Sequence, residues 1–293
     1  MQTEVRPALS LPGECLVVAL GERHFRVERP WGALPTGAGK VTDVAVDGAN
    51  RVYVLTRRDH YVDAPRDCVH VLAPDGAHLA SWGAERILDA HMLAVDPSGR
   101  VWVVDRDCHE IVAFDVEGRE LETRGRRHRP LEPFNHPSAV AFTHEGDMIV
   151  ADGYAGGSLH RFDADGRHLH RWGAVGTVPG EFLTAHGLWV LPDGRVAVAD
   201  RENHRVQLFT PDGTCDAVWT GFHRPSDIWG DAAGQLYVAD RIPTLSLFDG
   251  AGQRLGRCRP VLNGAHGIHG DSTGHLFLAE GNPSRITRLV PFS

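Results

Sequence analysis

The chain has 293 residues, of which 42% are hydrophobic and 23% charged, and its 30 Lys+Arg against 38 Asp+Glu give a formal charge of −8. These fractions are those of ordinary globular proteins, so the composition excludes collagen, coiled coil and extended disorder. An acidic chain whose one dense basic run is residues 124–129 lacks the basic face that nucleic-acid binding needs.

No apolar stretch approaches the roughly 18 to 20 residues that cross a bilayer. The best run, CLVVAL at residues 15–20, is too short and lacks the basic lead-in of a signal peptide. The five cysteines are scattered and form no CxxC pair, so neither a disulfide framework nor a thiolate zinc site is indicated. We therefore expect a cytoplasmic, soluble protein with reduced thiols, acting as a monomer and away from membranes.

One segment type recurs six times along the chain. The copies are TDVAVDGANRVYVLT from Thr42, HMLAVDPSGRVWVVD from His91, SAVAFTHEGDMIVAD from Ser138, HGLWVLPDGRVAVAD from His186, SDIWGDAAGQLYVAD from Ser226 and HGIHGDSTGHLFLAE from His266. Their starts are 49, 47, 48, 40 and 40 residues apart. Such a period is typical of repeat architectures rather than of two unrelated domains.

The pattern of each copy predicts two hairpins. An apolar strand, a turn centred on Gly or Asn, and an alternating strand come first, and a second turn flanked by strands follows. In the first copy the second turn comes late, so residues 58–66 look like an inserted loop. Four-stranded units at this period predict an all-β, six-bladed β-propeller, with residues 1–293 forming a single domain.

The last copy ends after its third strand. Residues 24–32 (HFRVERPWG) resemble the fourth strand of a copy, but the first three strands of that copy do not precede them. We predict that this N-terminal strand completes the last blade and closes the ring. The alternative is an N-terminal arm that is not part of the sheet.

Histidine opens the first strand in alternate copies, at His91, His186 and His266. First strands line the central channel of a propeller, so these imidazoles are expected to meet near the axis. Three neutral histidines with an open fourth position are the ligand set of a catalytic zinc. The alternative is a channel lined by polar histidines, since the chain has 18 of them.

The second strands must end on the face where the histidines lie. The residues that follow these strands are Arg57, Asp105-Arg106, Asp152-Gly153-Tyr154, Asp200-Arg201, Asp240-Arg241 and Glu280. Cations and a phenol around a three-histidine metal would suit a small anionic substrate, because arginine grips carboxylates with two nitrogens. The four aspartates are expected to bond turn amides rather than substrate.

In its repeats and in these residues, the chain resembles propellers with NHL-type repeats, and among them the peptidyl-α-hydroxyglycine α-amidating lyases. The resemblance covers residues 42–289 and is most specific at residues 137–209, where the DGY, PG-F and ADREN-R elements occur in the lyase order. It implies cleavage of the C–N bond of an N-acyl-α-hydroxyglycine to an amide and glyoxylate.

The resemblance also implies roles for individual residues. His91, His186 and His266 would bind zinc or another divalent transition metal. Tyr154 would be the catalytic base, Arg57 an essential catalytic residue for substrate charge, and Arg201 a further substrate contact. Arg58 would take the place of Arg57 if the alignment shifts by one residue at the insertion.

Two departures from the family bear on cofactor and substrate. The family holds a structural calcium with an Asp directly after the third zinc histidine, and Gly267 occupies that position here, which makes calcium doubtful. No copper monooxygenase segment is found, so the expected substrates extend to related N-(hydroxyalkyl) amides.

Two other functions stay open. One is a metal-dependent hydrolase of the lactonase or gluconolactonase type, whose axial metal is usually calcium held by oxygen ligands, whereas imidazoles favour a transition metal. The other is a non-catalytic NHL interaction module, which predicts no bound metal. The sequence offers neither a G-x-S-x-G nucleophile motif nor a metalloprotease H-E-x-x-H motif.

Overall fold

The structure, a computed structural model, describes residues 16–292, which form a ring of six antiparallel sheets. Two strands precede the first repeat: β1 (Val17–Leu20) and β2 (Arg23–Trp31). Blade 1 contains β3 (Lys40–Val46), β4 (Val52–Arg57), β5 (Val69–Leu72) and β6 (His78–Trp82). Blade 2 contains β7 (Ala90–Val95), β8 (Val101–Asp105), β9 (Glu110–Phe114) and β10 (Glu120–Gly125).

The next three blades repeat this order. Blade 3 contains β11 (Ala139–Phe142), β12 (Met148–Asp152), β13 (Ser158–Phe162) and β14 (His168–Trp172). Blade 4 contains β15 (Ala185–Val190), β16 (Val196–Asp200), β17 (Arg205–Phe209) and β18 (Cys215–Trp219). Blade 5 contains β19 (Pro225–Gly230), β20 (Leu236–Asp240), β21 (Leu245–Phe248) and β22 (Arg254–Cys258). The predicted six-bladed propeller is thereby confirmed.

Blade 6 is built from both ends of the described chain. Its sheet runs in the order β23 (Gly267–Gly270), β24 (Leu276–Gly281), β25 (Ser284–Phe292), β2 and β1. Strand β2 pairs antiparallel with β25, from His24 opposite Phe292 to Trp31 opposite Ile286. The predicted closure by the N-terminal strand is confirmed, and the alternative of a separate arm is wrong. Strand β1 is a fifth strand of this sheet, which the repeat pattern does not predict. Cys15, the first residue of the apolar run at residues 15–20, lies outside the described residues.

The apolar core lies between neighbouring blades. Six clusters of buried side chains occupy the six joints, one cluster to each joint. Tryptophans that end the outer strands pack across the joint against a glycine turn of the next blade, as Trp82 does against Gly118 and Trp172 against Gly213. A Cβ at either glycine would overlap the indole, so the recurring glycine makes room for the tryptophan.

The first turn of each blade lies on the face opposite the histidines, called here the far face. In blade 2, Asp96 accepts the amides of Ser98 and Arg100 at 2.9 and 3.0 Å and the indole N–H of Trp102 at 2.9 Å. Gly99 has a φ of +88°, a left-handed conformation that glycine adopts without steric cost.

First strands of adjacent blades contact one another and line the axis, while second strands return to the face where the first strands begin, called here the site face. In blade 2 the register places Ala90 at the start of β7 opposite Asp105 at the end of β8. In residues 16–292 the one helix is a 3-10 turn, Arg201–Asn203, and no helix there is long and apolar enough to cross a bilayer.

Candidate metal centre

Three imidazoles meet on the axis at the site face. The ring centroids of His91 and His186 are 5.0 Å apart, those of His91 and His266 are 5.1 Å apart, and those of His186 and His266 are 4.8 Å apart. One ring nitrogen from each lies within 4.8 Å of the other two. Residues far apart in sequence therefore converge on one point, as the alternation of the repeats predicts.

A closed belt of hydrogen bonds holds the three rings. Each Nδ1–H donates to the backbone carbonyl that starts the next blade: His91 to Ser138 at 2.7 Å, His186 to Ser226 at 2.6 Å and His266 to Thr42 at 2.8 Å. The hydroxyls of Thr42, Ser138 and Ser226 in turn donate to the blade after their own, to His91 O at 3.0 Å, Ala185 O at 2.5 Å and Ala265 O at 2.6 Å. The six bonds run once around the ring.

This belt fixes the tautomer of each of the three histidines. Because Nδ1 carries the hydrogen that the carbonyl accepts, Nε2 keeps its lone pair and faces the axis. A backbone carbonyl that accepts from the outer nitrogen is the usual support of a metal-binding imidazole. The Ser/Thr and His columns of the sequence thus have one common role, the orientation of three Nε2 atoms.

Burial keeps these imidazoles neutral. It lowers the pKa of His91 and His186 far below the ordinary value, and the charge of His266 lowers both further. Burial, followed by the charge of Arg241, lowers the pKa of His266 to about 3. Neutral imidazole is the form that binds a metal, so no proton has to leave at neutral pH.

The donor set fits a divalent transition metal. His186 Nε2 is buried and has no hydrogen-bond partner among the described residues, which is costly for a polar atom unless a ligand satisfies it. Three imidazole nitrogens suit zinc, copper or nickel better than calcium or magnesium, which prefer oxygen. The three histidines could hold such an ion and leave its remaining position open.

Tyr154 lies in contact with this centre. Its phenol oxygen is 2.9 Å from His91 Nε2 and accepts a hydrogen bond from an Arg201 terminal nitrogen at 3.1 Å. Guanidinium groups of Arg106 and Arg201 stack on its ring at 4.9 and 5.3 Å from the centroid. Gly153 brings the turn this close to the axis, because a Cβ there would overlap Ala185 O.

A cationic cavity opens beside the histidines. It has a volume of about 290 Å³, and its lining includes Lys40, Arg57, Arg241, Asn263 and His266. Within residues 16–292, neither Lys40 nor Arg241 forms an ion pair with a carboxylate. Burial, and then repulsion by nearby arginines, lowers the pKa of Arg241. A basic cavity of this kind is electrostatically complementary to a small anion.

Arg57 is held in place by a buried acid. Its Nε lies 2.5 Å from Asp89 Oδ1, and Arg106 contacts Asp89 Oδ2 at 2.9 Å. Burial raises the pKa of Asp89, while the charges of Arg57 and Arg106 oppose that rise. The terminal nitrogens of Arg57 make no hydrogen bond to another described residue, so they are available to a ligand in the cavity.

Arg58 points elsewhere. One of its terminal nitrogens donates to Asp63 O at 2.9 Å, within the inserted loop, and it does not line the cavity.

The structure thus brings His91, His186, His266, Tyr154 and Arg201 together, with Arg57 on the adjoining cavity. Arg106 and Arg241 were named from the sequence as residues that follow second strands, but they were given no individual role. Asp89, Lys40 and Asn263 were not among the sequence candidates.

The acids that end the second strands bond backbone amides, as expected. Asp105 accepts the amides of Leu88 and Asp89, Asp152 accepts Asn135, Asp200 accepts Leu183 and Asp240 accepts His223. All four are buried, and each carboxylate ties the end of a second strand to the segment before the first strand of its blade. They shape the site without facing the metal centre.

Comparisons with known proteins agree with this architecture. A family model described as NHL repeat matches residues 182–209. The chain is 29% identical over 221 residues to peptidylglycine alpha-amidating monooxygenase of Rattus norvegicus, covering 66% of this chain and 23% of that protein. It is 28% identical over 228 residues to peptidyl-alpha-hydroxyglycine alpha-amidating lyase 2 of Drosophila melanogaster, covering 68% and 52%. The chain thus spans about a quarter to a half of the length of these relatives.

The chain is a six-bladed β-propeller that contains an NHL-repeat match and resembles the amidating lyases. Among solved structures, a gluconolactonase from Xanthomonas campestris superposes with a TM-score of 0.71 at 17% identity, covering 98% of this chain and 99% of that one. At that identity the likeness concerns the fold alone. The site must therefore be interpreted from its own side chains.

Proposed function

We propose that this protein is a zinc-dependent carbon–nitrogen lyase that converts an N-acyl-α-hydroxyglycine, or a related N-(hydroxyalkyl) amide, to an amide and glyoxylate or another carbonyl product. The observation that carries the proposal is the convergence of three neutral imidazoles, fixed through Nδ1, with the phenol of Tyr154 in contact with them. The names of the relatives support the reaction class.

His91, His186 and His266 would hold the metal through Nε2. A zinc ion bound there would act as a Lewis acid, lowering the pKa of a coordinated hydroxyl and stabilising negative charge on its oxygen. The belt of hydrogen bonds keeps the three rings in a single orientation, so the chain does not have to reorganise when ligands bind.

Tyr154 would move the proton of the reaction. The substrate hydroxyl must lose a proton as its C–O bond becomes a carbonyl, and the amide nitrogen must gain one as the C–N bond breaks. A phenolate at Tyr154 can take the first proton on its oxygen and return it to the departing nitrogen, which balances the overall reaction. The hydrogen bond from Arg201 and the cation above the ring stabilise negative charge on that oxygen.

Arg57 and Arg241 would bind the carboxylate of the substrate. Both line the cavity next to His266, and neither has its terminal nitrogens engaged by a carboxylate of the described residues. A carboxylate held there fixes the position of the adjacent carbinol carbon relative to the imidazoles and Tyr154. Asp89, shared by Arg57 and Arg106, keeps the first of these cations in place.

Two exposed apolar side chains are neighbours in sequence of residues that line this cavity. Ile242 follows Arg241 and Leu262 precedes Asn263. They would offer an apolar surface to an acyl group that extends out of the cavity. The four described cysteines are free thiols, which supports the cytoplasmic location expected from the sequence.

A lactonase-type hydrolase is the second candidate, favoured by the fold likeness to a gluconolactonase. It predicts calcium without zinc and lactone hydrolysis, whereas the three-imidazole set favours zinc. The interaction-module alternative predicts no zinc and no effect of substitutions at the histidines.

The deciding experiment is a glyoxylate assay on α-hydroxyhippurate, run beside a gluconolactone hydrolysis assay and elemental analysis. We expect zinc, glyoxylate release and no lactonase activity. His186→Ala should lose zinc and glyoxylate release together. Zinc content and glyoxylate release that are the same in wild type and His186→Ala would refute the site.

A further inference from the structure

One lysine lies at the cationic cavity of the site face. The chain has 30 Lys+Arg residues, of which 29 are arginine, and Lys40 is the one lysine. It begins β3 and lines the cavity together with Arg57 and Arg241. Lysine is a compact point charge on a flexible stem, whereas arginine presents a planar fork, so the two residues are not interchangeable. The function proposed above uses both arginines and gives Lys40 no role.

The backbone sets Lys40 beside Arg57. The two residues are directly opposite in the antiparallel pair of β3 and β4, so their side chains start about 5 Å apart on the same face of the sheet. Gly281, at the end of β24 in blade 6, leaves room for the lysine stem, because a Cβ there would lie 2.7 Å from Lys40 Cε. Lys40 therefore extends over the joint between blades 1 and 6, at the edge of the cavity.

The cavity carries an excess of positive charge. Three cations line it, and no Asp or Glu of residues 16–292 does so. Asp89 pairs with Arg57 through Nε, but it also pairs with Arg106. Like charges directly opposite each other on two strands are destabilising. An anion bound between Lys40 and Arg57 would remove that repulsion.

The ammonium group of Lys40 is free within the described part of the chain, where it forms neither an ion pair nor a side-chain hydrogen bond. The carbinol carbon of an α-hydroxyglycine carries a hydrogen, a hydroxyl, a carboxylate and the acylated nitrogen. Its one carboxylate would be bound by Arg57 and Arg241. A second anion that matches Lys40 therefore has to come from the acyl group.

We propose that the acyl group of the substrate carries a second carboxylate and that Lys40 binds it. The substrates are then α-hydroxyglycine half-amides of short dicarboxylic acids, an inference that rests on the lyase function proposed above. Cleavage of the C–N bond, with the hydroxyl proton passing to the nitrogen, gives the monoamide of the dicarboxylic acid and glyoxylate. A short chain is expected because Lys40 and Arg57 start from adjacent strands.

The test compares two substrates of equal shape, N-succinyl-α-hydroxyglycine and N-succinamyl-α-hydroxyglycine. The terminal group is a carboxylate in the first and a neutral carboxamide in the second. Glyoxylate release by the zinc-loaded full chain should show a kcat/KM about 3- to 10-fold higher for the carboxylate, the range for a charged contact at an exposed lysine. Lys40→Gln should bring this ratio to within about twofold of unity, whereas Lys40→Arg, which keeps the charge, should retain a preference for the carboxylate.

Arg119→Gln is the matched control. It also removes one positive charge, from a side chain that is 79% exposed in the turn between β9 and β10 and does not line the cavity. This variant should keep the wild-type ratio.

Binding of the unreactive analogues N-succinylglycine and N-succinamylglycine, measured by calorimetry, gives a second readout that needs no turnover. Wild type should prefer the carboxylate by the same factor. Equal binding of the two analogues by wild type, or the same preference in wild type and Lys40→Gln, would overturn the proposal. Absence of glyoxylate from both substrates, with the binding preference present in wild type and lost in Lys40→Gln, would refute the lyase reaction and leave the assignment of Lys40 in place.

Discussion

Replacing Tyr154 with phenylalanine removes one oxygen and leaves the ring between Arg106 and Arg201. The lost oxygen contacts His91 Nε2 at 2.9 Å and Arg201 at 3.1 Å. Two such hydrogen bonds at a half-buried position contribute about 1–3 kcal/mol to folding. If the phenol transfers the reaction proton, kcat should fall by about 100- to 10,000-fold. That corresponds to a barrier about 3–5 kcal/mol higher.

The assay is steady-state glyoxylate release from α-hydroxyhippurate, with zinc content and urea unfolding measured on the same preparation. KM should change little, because the arginines that bind the carboxylate are untouched. The matched control is Tyr61→Phe, a residue 83% exposed on the inserted loop, which should behave as wild type. A Tyr154→Phe protein that keeps its zinc and turns over within a few-fold of wild type would refute the assignment of the phenol as proton carrier.

Three further predictions address binding, the belt and pH. Arg57→Gln should raise KM for α-hydroxyhippurate by at least about tenfold, by loss of a charge-assisted bond of about 1.5–3 kcal/mol, and Arg58→Gln should leave KM unchanged. The reverse order would show that the alignment shift is real. Ser226→Ala should lower the free energy of unfolding by about 1–3 kcal/mol in urea, because Ala265 O loses its buried donor; a change below about 0.5 kcal/mol would contradict the belt. Below a pH of about 6.5 the unfolded chain protonates histidines that the native state keeps neutral. With a native pKa of about 3 for His266, the zinc-free protein should lose about 1.4 kcal/mol of stability per pH unit from this group as the pH falls, measured by urea unfolding at several pH values. A flat profile between pH 6.5 and 5 would contradict this.

The fold was predictable because its signal is repeated. Six copies of one hairpin pattern determine the blade count, and the incomplete last copy together with residues 24–32 predicts the closure that β2 and β25 make. The extra strand β1 had no such support, because it pairs at the outer edge of one blade only. A strand that occurs once cannot be recognised from a repeat.

The site was predictable where it follows the column structure of the repeats. Alternating histidines indicated the axis, and Tyr154 and Arg201 came from the end of the second strands. The support of these residues was not predictable, because Asp89 meets Arg57 from another blade and each Nδ1 bonds a carbonyl of the next one. Such contacts depend on the stagger between blades, which periodicity does not define.

The buried carboxylates of Asp43 and Asp227 illustrate the same limit. Asp43 and Asp227 each follow the Ser/Thr that opens an inner strand, yet nothing in the sequence tells that their side chains extend beside glycines of neighbouring blades. The sequence alone suggested that an acid was missing at Gly267. The structure places an acid from blade 1 next to it.

The central claim is that His91, His186 and His266 bind one transition-metal ion. Elemental analysis of wild type and of three single His→Ala variants tests it most directly, with His109→Ala as a control because that imidazole accepts an amide outside the centre. We expect about one zinc per chain in wild type and in the control, and loss of zinc in each of the three variants. Stoichiometric zinc that survives substitution of any one of the three would contradict the account.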